Sequence, residues 1–224
     1  MTTKIKIQQD VRRIAKDSKD IENDVVAYVK EKFGEEFKKA EGRSDDIRIA
    51  AEDTLFGVED GLKEAGCETG GIIVRAADAL VDVARDIGEQ SLEAVRSYAD
   101  SAKAAIDKAL EQSKGDIENI EESTKHEMKE AHSKLYEKTH EVLDDMEMVA
   151  KAVYDYSSEK AHDFGEITEP KLKEIAEKGR TAAREVEQST ADYSKKLLHH
   201  SQEKAATWLQ RLAELVKPEK SGKD

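Results

Sequence analysis

The sequence is poor in most of what builds a catalytic core or an exported scaffold. Its 224 residues include two prolines, Pro170 and Pro218, and one cysteine, Cys67. A lone cysteine closes no disulfide within the chain, and Cys67 has no histidine near it in sequence to make a nucleophile. Aromatic residues are 5% of the chain. No window approaches 18 uninterrupted apolar residues, so no membrane-spanning helix is expected. The stretch Met1 to Asp10 has no apolar core of signal-peptide length, and the expected location is cytoplasmic. Strand signals are almost missing. The one β-branched cluster, Ile72-Ile73-Val74, opens a helical pattern.

Basic charge is also short. There are 37 Lys and Arg against 50 Asp and Glu, a net of −13. Nucleic-acid binding needs a basic face that displaces counterions, so it is excluded as a general role. The chain has no Gly-x-Ser-x-Gly elbow. Gly66 to Gly71 lacks the Lys-Ser/Thr of a phosphate loop. The expectation is therefore no enzyme and no cofactor.

What is present is charge and alanine. Charged residues are 39% of the chain, and 27 of the apolar residues are Ala. Apolar positions recur in alternating steps of three and four, the spacing of one helical face. The pattern predicts helices near 8–40, 45–65, 72–164 and 170–216. Their boundaries are Gly42 as a C-cap with Ser44 as an N-cap, the turn Ala65 to Gly71, and the stretch Gly165 to Pro170. Gly34 is a candidate kink. The segments are 1–43, 44–66, 72–169, 170–217 and a tail of 218–224. Segment 72–169 is either one long rod or a hairpin broken near Gly115. The predicted fold is all-α, an elongated bundle or coiled-coil-like assembly with a partly 11-residue repeat.

Two seams carry that pattern through the long segment. The first runs from Ile73 through Leu80, Ala84, Ser91 and Tyr98 to Ala109. The second runs from Ile117 through Met128, Leu135, Val142 and Val149 to Val153. In the last helix Ile175, Val186, Leu197 and Trp208 stand eleven residues apart. Eleven residues in three turns keep a stripe nearly straight. With Leu212 and Leu215 these residues are the candidate surface or partner contacts. Much of each seam is Ala, Ser or Thr, so the helices need partners. In the second helix Ala50, Thr54, Gly57 or Val58, and Gly61 place small residues on one side, which allows a neighbouring backbone to approach closely.

Charge divides along the chain. Residues 1–43 carry a net of +2, residues 44–114 a net of −8, residues 115–169 a net of −10 and residues 170–224 a net of +3. Basic ends are thus available to lie beside an acidic middle.

Histidine and glutamate supply the only metal-like signal. Glu137-x-x-His140 and Glu159-x-x-His162 have the spacing used in carboxylate-bridged di-metal bundles. They are 22 residues apart, about 33 Å along one unbroken helix at about 1.5 Å per residue. At that distance they share no ion within one chain, and the expected metal is none. His132, Tyr136 and His140 lie along one face, and His199 and His200 are adjacent.

The 11-residue stripe, the Ala-rich run Ser101 to Leu110 and the scarcity of proline resemble three helical groups. These are the phasins, which coat polyhydroxyalkanoate granules, the exchangeable apolipoproteins and the late-embryogenesis-abundant proteins. The resemblance covers residues 72–216 in pattern and implies a non-enzymatic amphipathic protein. The expected function is a structural scaffold, or an amphipathic coat on an apolar surface such as a storage granule. The alternatives are a stress-protective protein or a carboxylate/His metal-binding bundle. Expected partners are another copy, another helical protein, or a hydrophobic granule or lipid surface.

Overall fold

A computed structural model describes the backbone of residues 3–40, 43–112 and 117–215. Within the helices, the side chains of residues 106, 109–112, 117–125, 162, 164–167, 205, 208, 209 and 211–215 lie outside the described set. The fold is all-α. Six helices follow one another: α1 (Thr3–Asp17), α2 (Ile21–Ala40), α3 (Ser44–Glu64), α4 (Gly70–Gln112), α5 (Ile117–Glu159) and α6 (Ala161–Leu215). Among the described residues there is no strand, and no helix is long and apolar enough to cross a membrane.

The single helix expected over 8–40 is two helices. The backbone N–H of Asp20 donates to the Ser18 hydroxyl, and that hydroxyl donates to Asp24. The Asp20 carboxylate then accepts from the backbone and side-chain N–H groups of Asn23. This is an N-cap for α2, and it ends α1 by giving the backbone a local alternative. The Asn23 donors hold the Asp20 carboxyl below its ordinary 3.8. A lowered carboxyl stabilises the fold above its unfolded value and loses that contribution as pH falls. Asp20→Ala is therefore expected to lower Tm at pH 7, with the difference from wild type shrinking below pH 3.8. Thermal melts across pH check this.

Three further boundaries differ from expectation. The N-cap of α3 is Arg43, not Ser44. The Arg43 guanidinium donates back to the Lys39 and Ala40 carbonyls and closes α2. Gly42, the expected C-cap, lies outside the described residues. The last helix begins at Ala161, so Pro170 sits inside α6 rather than in its first turn. Gly34 does not interrupt α2. The turn at Gly66 is as expected. Gly66 has φ +74, its N–H reaches the Lys63 carbonyl, and the Cys67 N–H reaches Leu62. This pair of bonds is a Schellman closure, which needs a residue tolerant of the left-handed region.

The chain divides into two compact units. The first holds residues 1–93 and 138–187, the second 94–137 and 188–224. Helices α4, α5 and α6 contribute to both. In the first unit, α3 lies against α1 through its small-residue face. A Cβ built on Gly57 would come within 2.9 Å of the Lys4 carbonyl, and one on Gly61 within 2.6 Å of the Gln8 carbonyl. Ile7, Val11 and Ala15 fill the contact from α1. Val81 and Ala150 both flank Gly179, and Gly88 meets Val142, so α4 and α5 run antiparallel. Ser157 donates to the Glu169 carbonyl, so α5 and α6 also turn back on each other. The core is continuous and includes Phe33, Leu55, Leu80, Tyr156 and Leu172.

The seams hold in part. Ala131, Leu135, Val142, Met146, Val149 and Val153 are buried, as spaced. On α4, Ile73, Ala77, Leu80 and Ala84 are buried, but further on Leu92 and Ala99 are buried and Tyr98 is exposed. Ile106, Ala109, Ile117, Ile120 and Thr124 have side chains outside the described residues.

Basic side chains lie beside acidic helices in each unit. Lys4 pairs with Asp60, Arg12 with Glu64, and Lys178 with both Asp78 and Asp82. In the second unit Lys204 pairs with Asp107. Grouping charge by unit changes its meaning. The first unit holds 23 Lys and Arg against 35 Asp and Glu, a net of −12. The second holds 14 against 15, a net of −1.

Candidate functional site

Two places gather polar side chains from several helices, one in each unit. The first is built around Glu59 of α3. Leu55, Val58 and Leu62 form the buried stripe of that helix, and Glu59 falls on the same stripe. Its side chain is fully buried. Burying an isolated carboxylate is costly unless it is paired and hydrogen-bonded. Glu59 is both. The Tyr156 hydroxyl donates to it at 2.9 Å. Lys63, one turn on, and Lys160, at the corner between α5 and α6, bring their ammonium groups to it. Phe56 packs edge-on against Tyr156 and lies under the Lys160 and Lys4 ammonium groups. Burial and the adjacent Glu59 charge push the Tyr156 hydroxyl well up, so it stays a donor. Contact with Glu59 also raises the Lys63 ammonium. Two ammonium groups and a phenol thus compensate the carboxylate for its lost contact with water. The cluster ties α3 to the α5–α6 corner.

The second place is the inner face of the second unit. Its buried apolar residues among those described are Ala99, Ala131, Leu135 and Leu197, and Met128 and Tyr193 pack around the cluster of Ala99, Ala131 and Leu197. Polar contacts do much of the joining. The Arg96 guanidinium donates to Ser189 and Thr190 and stacks on Tyr193. The Tyr193 hydroxyl reaches the Arg96 carbonyl and Asp100. His132 meets Ser194 at 3.0 Å, and His200 and Lys204 share Asp107. Lys134 sits over the Tyr98 ring. The Lys204 and His200 charges outweigh burial and hold the Asp107 carboxyl below its ordinary range.

The expected site residues are distributed between these units. Ile175 and Val186 are buried in the core of the first unit, and Leu197 in that of the second. As folded, the chain already covers them. The side chains of Trp208, Leu212 and Leu215 lie outside the described residues, as does that of His162. Glu137 is exposed and accepts from Ser133, and His140 is exposed. Glu159 is the last residue of α5, while His162 belongs to α6, so the second Glu-x-x-His pair does not lie on one helix. No group of three or more His, Cys, Asp or Glu side chains able to hold a metal occurs among the described residues.

Spacing along the chain does not reveal the Glu59 cluster, because Tyr156 is 97 residues away. One signal is there: Glu59 interrupts a stripe of otherwise apolar positions. A second contact of this kind joins Ser44, at the start of α3, to Asp145 of α5. Asp145 is 5% exposed. Burial raises its carboxyl, with Glu141 and Asp144 adding to the shift and the Ser44 donor and the Lys138 charge opposing it. A raised folded value means that Asp145 favours the fold below its unfolded value and that this contribution is lost as pH rises. Asp145→Asn keeps an acceptor for Ser44. It is expected to raise Tm at pH 7 and to leave it nearly unchanged below pH 3.8, as read by thermal melts at both pH values.

No protein-family model matches the chain, and neither a curated protein nor a solved structure is similar to it.

Proposed function

We propose that the chain is a non-enzymatic helical interaction protein, a structural coat that engages an apolar surface through its second unit. The observation that carries this reading is the makeup of that unit. Among its described residues, two alanines and two leucines are the buried apolar side chains, and polar contacts supply much of the joining. Each helix there has an amphipathic stripe, and among the described residues separating the helices gives up little apolar burial. A net charge of −1 leaves this unit without the repulsion that the first unit, at −12, would meet at an anionic interface. The stretch Trp208 to Leu215 adds the most apolar sequence of α6 to the same unit. Partly buried amphipathic helices hold to such surfaces by apolar area. The long 11-residue stripe, the elongated form and the likeness to granule-coating phasins are part of this proposal.

Flotation with neutral phosphatidylcholine vesicles and with polyester particles tests it. The chain is expected to float with both, and to keep floating at high salt, because apolar burial rather than charge holds it. A chain that stays in solution and forms a defined, concentration-dependent oligomer would overturn the coat and favour a scaffold built of copies.

A further inference from the structure

Independently of that surface, the first unit contains a pocket of about 210 Å³ between the end of α2, the middle of α4 and α5. Phe37, Ile87 and Val142 give it an apolar wall. Gly88, which also lines it, lets α4 approach α5 closely there, because a Cβ would fall 2.6 Å from a Val142 methyl. Asp145 lines the same pocket. Its Oδ1 accepts from the Ser44 hydroxyl at 2.8 Å, a neutral donor, and among the described residues no cation stands within ion-pair distance of it. Buried carboxylates are ordinarily paired with a cation. Glu59, in the same unit, has two lysines and a tyrosine, whereas Asp145 has one hydroxyl and an opening beside it.

The other charges of the pocket do not fill this place. Lys138 bonds Glu141 at 2.6 Å, and its charge opposes the rise of the Asp145 carboxyl without reversing it. Lys38 is exposed, where water screens it. The remaining combination is a buried negative charge at one side of a small, partly open pocket with one apolar wall.

We propose that this pocket binds a small organic ammonium with an apolar body, the ammonium pairing with Asp145 and the body lying on Phe37, Ile87 and Val142. A carboxylate without a counter-charge gains from such a ligand twice. The cation satisfies it, and the apolar body displaces water from the wall. The raised carboxyl of Asp145 describes the same lack of compensation from the proton's side.

Thermal unfolding and titration calorimetry with isoamylamine hydrochloride, against sodium chloride at equal ionic strength, test the proposal. The expected result is a saturable rise in Tm for the full chain. Asp145→Asn is expected to weaken binding about tenfold or more, the worth of a charge-assisted bond. Asp144→Asn removes the same charge from an exposed neighbour and is expected to bind like wild type. Ser91→Leu, which narrows the pocket while keeping Asp145, is expected to weaken binding as well. This fourth protein keeps the test decisive should Asp145→Asn fold poorly. The proposal is overturned if wild type shows no rise. It is equally overturned if sodium chloride reproduces the rise, or if Ser91→Leu and Asp145→Asn bind as wild type does.

Discussion

Glu59→Ala is expected to destabilise the first unit by about 3 kcal/mol or more, within the range for removing one partner of a buried ion pair. The loss comes from what remains. The Tyr156 hydroxyl is left buried without its acceptor, and the Lys160 ammonium, 20% exposed, is left without its counter-charge. Lys63 is 49% exposed and turns to water, so Lys63→Met is expected to cost under about 1 kcal/mol. The two lysines and the tyrosine act on one carboxylate, so their effects will not add. The triple replacement Glu59→Leu, Tyr156→Phe, Lys160→Met is expected to regain most of the loss, because it removes the charge and its partners together. Urea unfolding of the four proteins checks this. A Glu59→Ala loss no larger than that of Lys63→Met would mean that Glu59 is not sealed in as described.

The second large effect belongs to the contact between α1 and α3. Gly61→Ala gains about 1 kcal/mol of helix propensity but must find room against backbone. The obstruction is the Gln8 carbonyl at 2.6 Å and the Arg12 nitrogen at 3.1 Å, neither of which rotates away. Gly57→Ala meets the Lys4 carbonyl and Ile7 in the same way. With overpacking costing about 1–3 kcal/mol per site against that gain, the double variant is expected to lose up to about 4 kcal/mol net, because the obstruction is backbone. It should also expose α1 to proteolysis. Gly71→Ala, where nothing lies within 4 Å of the added carbon, is the control and is expected to be neutral or stabilising by about 0.4–1 kcal/mol.

These two sites also show how far the sequence can be read. Gly57 and Gly61 are legible because small residues four apart on a helix have one evident use, close approach. The all-α class follows from periodicity for the same reason. The Val142 to Val153 seam is legible because each turn there carries a large apolar residue. The α4 seam drifts after Ile87 because its later positions include Ser91 and Tyr98, and neither wins the interior against Leu92 and Ala99. The break at Ser18 was within reach, since Ser18, Asp20 and Asp24 are a capping group, but apolar periodicity runs across it. Lys160 is different. It carries no breaker, and the corner depends on Tyr156 and Lys160 finding Glu59, a contact between residues about a hundred apart. Pro170 draws attention away from it, because proline is tolerated inside α6.

Charge is the clearest case of a pattern whose meaning waits for the fold. Read along the chain it is basic at both ends and acidic between. Regrouped by unit, almost all of the −13 belongs to the first. The second unit, whose described residues are joined largely by polar contacts, is the one that is nearly neutral.

Hydrogen exchange, followed by mass spectrometry with and without neutral phosphatidylcholine vesicles, tests the surface reading most directly. Alone, amides of 94–112, 117–137 and 188–215 are expected to exchange faster than those of the first unit, since little apolar burial protects them. With vesicles, those same segments are expected to slow, and the first unit to stay as it was. Exchange unchanged by vesicles in every segment, or slowed only in residues 3–93, would contradict the account.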